Sequence, residues 1–212
     1  MEHALRSERI NILLILFLVT PYYLNDFVYF FTQSSYFWMT IIEYSLRIVS
    51  VLSVILFVGR QEIKSLFKKI SASSITWAIT ISVVGLLVEK GLFGPLSNLV
   101  SNERLFVFPP YPSTSLKIID LTFGLLLVAL SEEFIFRICL IEWLESFSLG
   151  RISVTVISCF IFATIHWGHG SVNVVLVFVW ALLPAYYYQK KKDIFPCVLA
   201  HYVTNFIIFL NY

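Results

Sequence analysis

Two adjacent glutamates and a nearby arginine form the first group of residues that could do chemistry. Glu132, Glu133 and Arg137 lie inside an otherwise apolar run. Successive helical residues are about 100° apart, so Glu133 and Arg137 share a helix face while Glu132 points away from the guanidinium. We expect Arg137 to hold Glu133 ionised, and Glu132, without a cation beside it, to act as a general base toward water. From this segment alone, a buried network that only locks helices together is the alternative.

Two histidines supply further groups for the same chemistry. His166 follows Phe162 by four residues and His201 precedes Asn205 by four, so each pair lies on one helix face. A lone membrane histidine more often only hydrogen-bonds neighbouring helices, but polar side chains on three membrane helices should converge in the bundle interior. A carboxylate with an imidazole can activate water, and a second imidazole with an amide can stabilise an oxyanion. These are the parts of a peptide-bond hydrolase.

The elements that carry these residues must lie in a membrane. The chain has 212 residues, 58% hydrophobic and 13% charged, with a mean hydropathy of +0.84. A soluble domain of this length buries only about 70% of its unfolded surface, too little to hide so many apolar side chains. This composition excludes a cytosolic enzyme, a nucleic-acid-binding module and a disordered chain. The expected surroundings are the lipid bilayer, and no nucleic acid is expected as a partner.

Continuous apolar runs predict an all-α, polytopic membrane helix bundle. A helix needs about 20 apolar residues to cross a bilayer, and runs without alternating polarity favour helices over a barrel. The sequence divides into about seven transmembrane helices: Ile10 to Phe31, Tyr36 to Val58, Ser74 to Phe93, Ile118 to Phe147, Arg151 to Trp167, Ser171 to Tyr188 and Ile194 to Tyr212. We expect the first helix to be a retained anchor. The proline-containing segment from Gly94 to Ser115 is expected to be coil.

Basic residues orient the bundle. Those between the predicted helices fall mainly on one side: Arg6, Arg9, Arg60, Lys64, Lys68, Lys69, Arg151, Lys190, Lys191 and Lys192. Only Arg104 and Lys117 lie in the long loop opposite. The positive-inside rule therefore predicts a multi-pass plasma-membrane protein with a cytoplasmic N-terminus and its C-terminus outside. Residues 61–70, with apolar residues at helical spacing between lysines, could lie along the inner surface.

Other conspicuous side chains have simpler interpretations. Glu43 and Arg47 are four residues apart in the second predicted helix, which predicts an internal ion pair, with substrate contact as the alternative. His169, between two glycines, is expected in a loop, and His3 in the N-terminal tail. The cysteines lack zinc-site spacing and are expected as buried thiols: Cys139, Cys159 and Cys197. The tryptophans are expected to be packing or interfacial residues: Trp143, Trp167 and Trp180.

Three motifs in this order resemble the signature of the CPBP family, also called Abi or type II CAAX prenyl endopeptidase: Glu132-Glu133-x-x-x-Arg137, Phe162-x-x-x-His166 and His201-x-x-x-Asn205. Members of that family are glutamic-type intramembrane proteases. The resemblance covers about residues 118–212 and implies an all-helical bundle with a polar, water-accessible intramembrane cavity. We expect one membrane domain, 1–212, in which residues 1–117 carry no motif and residues 118–212 form the catalytic core.

The resemblance also implies roles and a reaction. Glu132 with His166 would activate water, and His201 with Asn205 would form the oxyanion hole. The supporting residues would be Glu133, Arg137 and Phe162. The implied activity is hydrolysis of a peptide bond near the membrane-anchored terminus of a peptide or protein substrate. Alternatives from other classes are a non-proteolytic immunity or scaffold protein and a small transporter.

Two questions stay open at the level of sequence. Glu132, His166 and His201 could in principle ligate zinc, but HExxH is missing and a Glu–His pair can activate water unaided, so we expect no cofactor and no metal. With a helical rise of about 1.5 Å per residue, Glu132 and His201 are predicted to lie about 10 Å from the inner membrane surface. His166 is predicted to lie nearer the outer membrane surface. For the three side chains to lie at one depth, the helices must be tilted, the fifth helix must begin inside the cytoplasm, or the helices must end at residues other than those predicted.

Overall fold

The described part of the chain is helical. The computed structural model describes residues 11–32, 35–99 and 109–210, and within these ranges its regular structure contains helices and no strand. This confirms the all-α prediction for that part of the chain. Several residues used in the sequence predictions lie outside the described residues: His3, Arg6, Arg9, Ile10, Arg104 and Tyr212.

Eight helices follow one another in the described residues. They are α1 (Ile12–Thr32), α2 (Tyr36–Val58), α3 (Arg60–Leu66), α4 (Ala72–Leu99), α5 (114–145), α6 (Arg151–Thr164), α7 (Ser171–Lys191) and α8 (Phe195–Leu210). Within α5, two wider π-helical segments interrupt the α-helix, at Asp120–Gly124 and Phe134–Ile141. A short 3-10 turn, Trp167–His169, connects α6 to α7.

Four of these helices are long and apolar enough to cross a membrane. The spans are Ile12–Phe30, Tyr36–Val58, Ala72–Asn98 and Ser171–Lys191. Two further apolar helices, α6 and α8, have only 14 and 16 residues, and α5 is broken by its π-helical segments. The chain is thus a multi-pass membrane protein, with four described helices that meet the length requirement rather than the predicted seven.

Several predicted helix bounds differ from the structure: α5 begins at Thr114 rather than Ile118, and α7 ends at Lys191 rather than Tyr188. The third predicted helix was expected to stop at Phe93, before a coil that begins with Gly94 and Pro95, yet α4 continues to Leu99 and contains that proline. Membrane helices tolerate proline because neighbouring groups re-satisfy the freed backbone carbonyl. The fifth predicted helix was expected to reach Trp167, whereas α6 ends at Thr164.

Lysines from two separate parts of the chain lie at one end of the bundle. Lys68 Nζ donates to the backbone carbonyl of Lys191, and the Ile194 amide donates to the Leu66 carbonyl at 2.8 Å. Lys192 Nζ lies 2.8 Å from Glu142 Oε1 and 2.6 Å from Glu145 Oε2. These contacts bring the ends of α3, α5 and α7 and the start of α8 together. We call this the basic end.

The motif-bearing helices form the centre of the molecule. In the interior, α7 packs against α6, and α8 packs against α4 and the Leu125–Glu133 segment of α5. All eight residues of the π-helical segment Phe134–Ile141 are buried. The three cysteines are buried thiols, as expected, and none of them forms a disulfide with another described cysteine. This core fixes the helices that position the site.

Candidate active site

Glu132 is held by an arginine from a different helix. Arg47 Nη1 donates to Glu132 Oε1 at 2.7 Å and to Ser131 Oγ at 3.2 Å. The same guanidinium donates to Glu43 Oε1 through Nε at 3.1 Å and Nη2 at 2.9 Å, so the predicted pair on α2 is confirmed. The expectation that Glu132 lacks a nearby cation is wrong. The helical-wheel argument considered only the helix of Glu132, whereas its cation comes from α2.

His166 presents one ring nitrogen to Glu132. It follows the C-terminal end of α6, and its Nδ1 lies 3.1 Å from the carbonyl of Phe162. Because a carbonyl only accepts hydrogen bonds, Nδ1 carries the proton in this pair and Nε2 is left as an acceptor in the neutral ring. That Nε2 lies 4.0 Å from Glu132 Oε2. With only 14 residues, α6 is about 21 Å long, and His166 lies two residues beyond its end.

His201 is arranged in the same way from the opposite side. Its Nδ1 lies 2.9 Å from Glu133 Oε1, and its Nε2 lies 3.6 Å from Glu132 Oε2. The second oxygen of Glu133 lies 3.1 Å from Arg137 Nε, with both side chains fully buried. The predicted ion pair of Glu133 with Arg137 is therefore confirmed. Glu133 also positions His201, a contact that the spacing of the motifs did not indicate.

The three side chains leave room for a bridging water. Glu132 Oε2 is buried and has no hydrogen-bond partner among the described residues. Its distances of 3.6 Å and 4.0 Å to the two imidazole nitrogens exceed direct hydrogen bonds, and a water can bridge polar groups at such separations. A carboxylate oxygen and two imidazole nitrogens thus converge on one point.

Aromatic rings fix the orientation of both histidines. The Phe162 ring, 1% exposed, lies 5.1 Å from the His166 ring and 6.2 Å from the His201 ring. The Trp180 ring lies 4.9 Å from that of His201. Trp180 was expected to be a packing residue, and the side chain against which it packs, His201, is part of the site. A Cβ at Gly85 would lie 2.6 Å from the Trp180 indole, so only glycine allows this approach.

A large cavity begins at these groups. It has a volume of about 510 Å³, and its wall includes Glu132, His166, His201 and Asn205. The structure therefore brings all four residues expected to be catalytic to one space. Asn205 lies one helical turn after His201, as the spacing predicted.

The cavity extends away from the basic end. Its wall also includes Tyr36 at the start of α2, Tyr111 before α5 and Phe209 near the end of α8. There the hydroxyls of Tyr44 and Tyr111 donate to the two oxygens of Asp120 at 2.7 Å and 2.9 Å. Burial, together with the Asp120 carboxylate, raises the pKa of Tyr111, so its hydroxyl remains a donor.

The helix α1 fixes the turn that follows His166. Tyr23 Oη lies 2.6 Å from Thr164 Oγ1, and the Gly168 amide donates to Asp26 Oδ2 at 3.1 Å. Sequence reasoning missed Asp26, although a carboxylate inside an apolar span is itself a signal. His169 lies in the turn as expected, but it also lines the cavity.

Zinc sites place three or four ligand atoms about 2.0–2.3 Å from the metal. Among the described residues, no group of three His, Cys, Asp or Glu side chains is arranged so that it could hold a metal ion.

The C-terminal part of the chain is similar to a known protein family. Residues 114–207 match the family described as type II CAAX prenyl endopeptidase Rce1-like, a range that contains all three motifs. No curated protein and no solved structure matches the chain. The segment that carries Glu132, His166 and His201 is thus similar to the type II CAAX prenyl endopeptidase Rce1-like family.

Proposed function

We propose that the protein is an intramembrane endopeptidase that hydrolyses a peptide bond near the membrane-anchored terminus of a peptide or protein. One observation carries the proposal. Glu132 Oε2 faces the Nε2 atoms of His166 and His201 at 4.0 Å and 3.6 Å, while the Nδ1 atom of each ring is held elsewhere. A water at this point would contact a carboxylate that can take its proton.

The reaction follows from these contacts. Glu132 accepts a proton from water with the help of His166, and the water oxygen bonds to the carbonyl carbon of the scissile peptide. The carbonyl electrons move to its oxygen. Asn205 stabilises that oxygen by donating a hydrogen bond, and His201 does so through Nε2 as an imidazolium that carries protons on both ring nitrogens, since Nδ1 already donates to Glu133. When the C–N bond breaks, the proton returns from Glu132 to the leaving amine. The products are a carboxylic acid and an amine, and no cofactor or metal takes part.

Glu133 and Arg47 act as positioning residues. The Glu133 carboxylate accepts from His201 Nδ1 at 2.9 Å, which turns Nε2 toward the reacting carbonyl. Arg47 donates a hydrogen bond to Glu132 Oε1 at 2.7 Å. The other carboxylate oxygen, Oε2, is then the one that contacts the water. Both glutamates are therefore needed, in different roles.

The cavity favours a membrane-anchored substrate that approaches from the end opposite the basic end. Tyr36, Pro110 and Phe209 give this part of the wall an apolar surface, which suits an extended, apolar peptide segment. If the basic end is cytoplasmic, as the positive-inside rule predicts, the cavity faces the outside of the plasma membrane. Such a site suits a peptide pheromone or bacteriocin precursor, or the sorting tail of an exported protein. Prenylated CAAX proteins are the other substrate class, indicated by the family's description.

Comparative terminal proteomics tests the proposal. Cells producing the wild-type chain and cells producing Glu132→Gln are compared for new protein termini in their membranes. The Glu132→Gln side chain keeps an acceptor for Arg47 but cannot take a proton from water. We expect a set of termini that is present only with the wild type. Equal termini in both strains, with both chains equally abundant, would support a scaffold and overturn the proposal.

A further inference from the structure

A second, smaller cavity lies beside the site, against α1. It has a volume of about 40 Å³ and is bordered by Asn25, Asp26 and Ile165. Glu132 and His166 border both this cavity and the large one. The two groups that would activate water therefore belong to the walls of two separate spaces.

The small cavity has the polar groups that an ordered water requires. Asn25 Oδ1 is buried and accepts no hydrogen bond from any described residue, and the same holds for Glu132 Oε2. Asp26, 6% exposed, also borders the space. Buried water typically satisfies such polar atoms, and one water needs about 10–15 Å³ of this kind of volume. The cavity is thus large and polar enough for at least one water.

We propose that this cavity binds the hydrolytic water and delivers it to Glu132 while the substrate occupies the large cavity. The inference rests on the proposed function. A peptide that fills the large cavity excludes bulk water from the site, as substrate binding does in closed active sites. The hydrolytic water must then come from another side, and the α1 side is the one where Asn25 Oδ1 offers it an acceptor. Asn25 is a positioning residue in this account, since it would touch the water before the reaction.

The variant Asn25→Leu tests this delivery through kinetics. Leucine has nearly the shape of asparagine but offers the water no hydrogen-bond acceptor. Loss of one such bond is expected to lower kcat about three- to tenfold and to leave KM unchanged. The matched variant is Asn173→Leu, since Asn173 borders the large cavity and is not among the residues of the small one. That variant is expected to change KM more than kcat. An unchanged kcat in folded Asn25→Leu protein would overturn the delivery role.

A high-resolution structure of the wild-type protein tests the site without any assay of activity. We expect density for a water within hydrogen-bonding distance of Asn25 Oδ1. Absence of such density in a well-ordered cavity would overturn the inference, even if Asn25→Leu failed to fold. If the wild-type chain cleaves no peptide, the proposed function fails, whereas the density still decides whether the cavity binds water.

Discussion

Arg47 and Glu132 form an ion pair between two helices, with Nη1 of the arginine 2.7 Å from Oε1 of the glutamate. The Glu132 side chain is 3% exposed, and that of Arg47 is 10% exposed. The pair joins α2, which lies outside the matched family segment, to the motif helix α5. Charges inside a membrane helix are costly unless they are paired. The segment that carries the motifs therefore depends on the N-terminal half of the chain for the cation that orients Glu132, the proposed general base.

Replacing Arg47 is expected to impair both stability and activity. Arg47→Met leaves Glu132 as a buried carboxylate without its cation, and breaking a buried pair costs about 3–5 kcal/mol. The measurements are thermal unfolding in mild detergent and peptide cleavage. Glu43→Gln is the control, because it leaves the contact of Arg47 with Glu132 in place and should have a smaller effect. Full activity of Arg47→Met would contradict the role given to this pair.

Replacing Glu133 is expected to impair catalysis through His201. In Glu133→Gln, the amide can present its NH2 group instead of an oxygen to Nδ1, so the orientation and tautomer of the ring are no longer fixed. We expect kcat to fall about 100-fold or more, in the range of acid–base contributions. Glu145→Gln makes the same exchange at the basic end of α5 and should leave kcat nearly unchanged. Equal kcat values for the two variants would show that Glu133 has no positioning role.

Asn205 is expected to act in the transition state. Removal of one oxyanion-hole donor lowers kcat by about 10²- to 10³-fold, so Asn205→Ala should lower kcat by that factor with little change in KM. Steady-state kinetics on a single peptide separate the two constants. A change confined to KM would instead place Asn205 among the residues that only bind substrate.

The glycines of α4 provide a matched pair for testing how the site is packed. A Cβ at Gly85 would lie 2.6 Å from Trp180 and 3.1 Å from Thr204 Cγ2, whereas a Cβ at Gly91 would have nothing within 4 Å. Overpacking costs about 1–3 kcal/mol, so Gly85→Ala should lower the Tm and, by displacing Trp180 from His201, the activity. Gly91→Ala should preserve both, since alanine favours helix. If the two variants behave alike, the close approach at Gly85 is not needed.

Metal removal tests whether the side chains suffice. Activity of the purified protein is expected to survive a strong zinc chelator, since the described residues offer no three-ligand cluster and the Glu132–His166 pair can activate water alone. Loss of activity on chelation, with recovery on adding zinc, would show that an ion is required.

Sequence reasoning succeeded where the information is local. The pairs Glu43 with Arg47 and Glu133 with Arg137 follow from four-residue spacing, and both are present. The bounds of α2 follow from a continuous apolar run between polar turns. In these cases the sequence alone contains the interacting groups and their geometry.

The remaining features depend on contacts between helices. No spacing relates Arg47 to Glu132 or His201 to Glu133, because those distances depend on how separate helices pack. The early end of α6 was also missed: the sequence around Thr164 contains no proline or glycine, and Gly168 and Gly170 come only after the turn has begun.

The central claim is tested most directly by peptide cleavage with purified wild-type protein and Glu132→Gln in the same membrane mimetic. The substrate is a peptide that spans a terminus found by the proteomic comparison, and mass spectrometry follows both products. We predict that the wild type cleaves the peptide and that Glu132→Gln, with an unchanged Tm, loses at least about 100-fold in kcat. Cleavage by Glu132→Gln at the wild-type rate would contradict the assignment of Glu132 as the base that activates water.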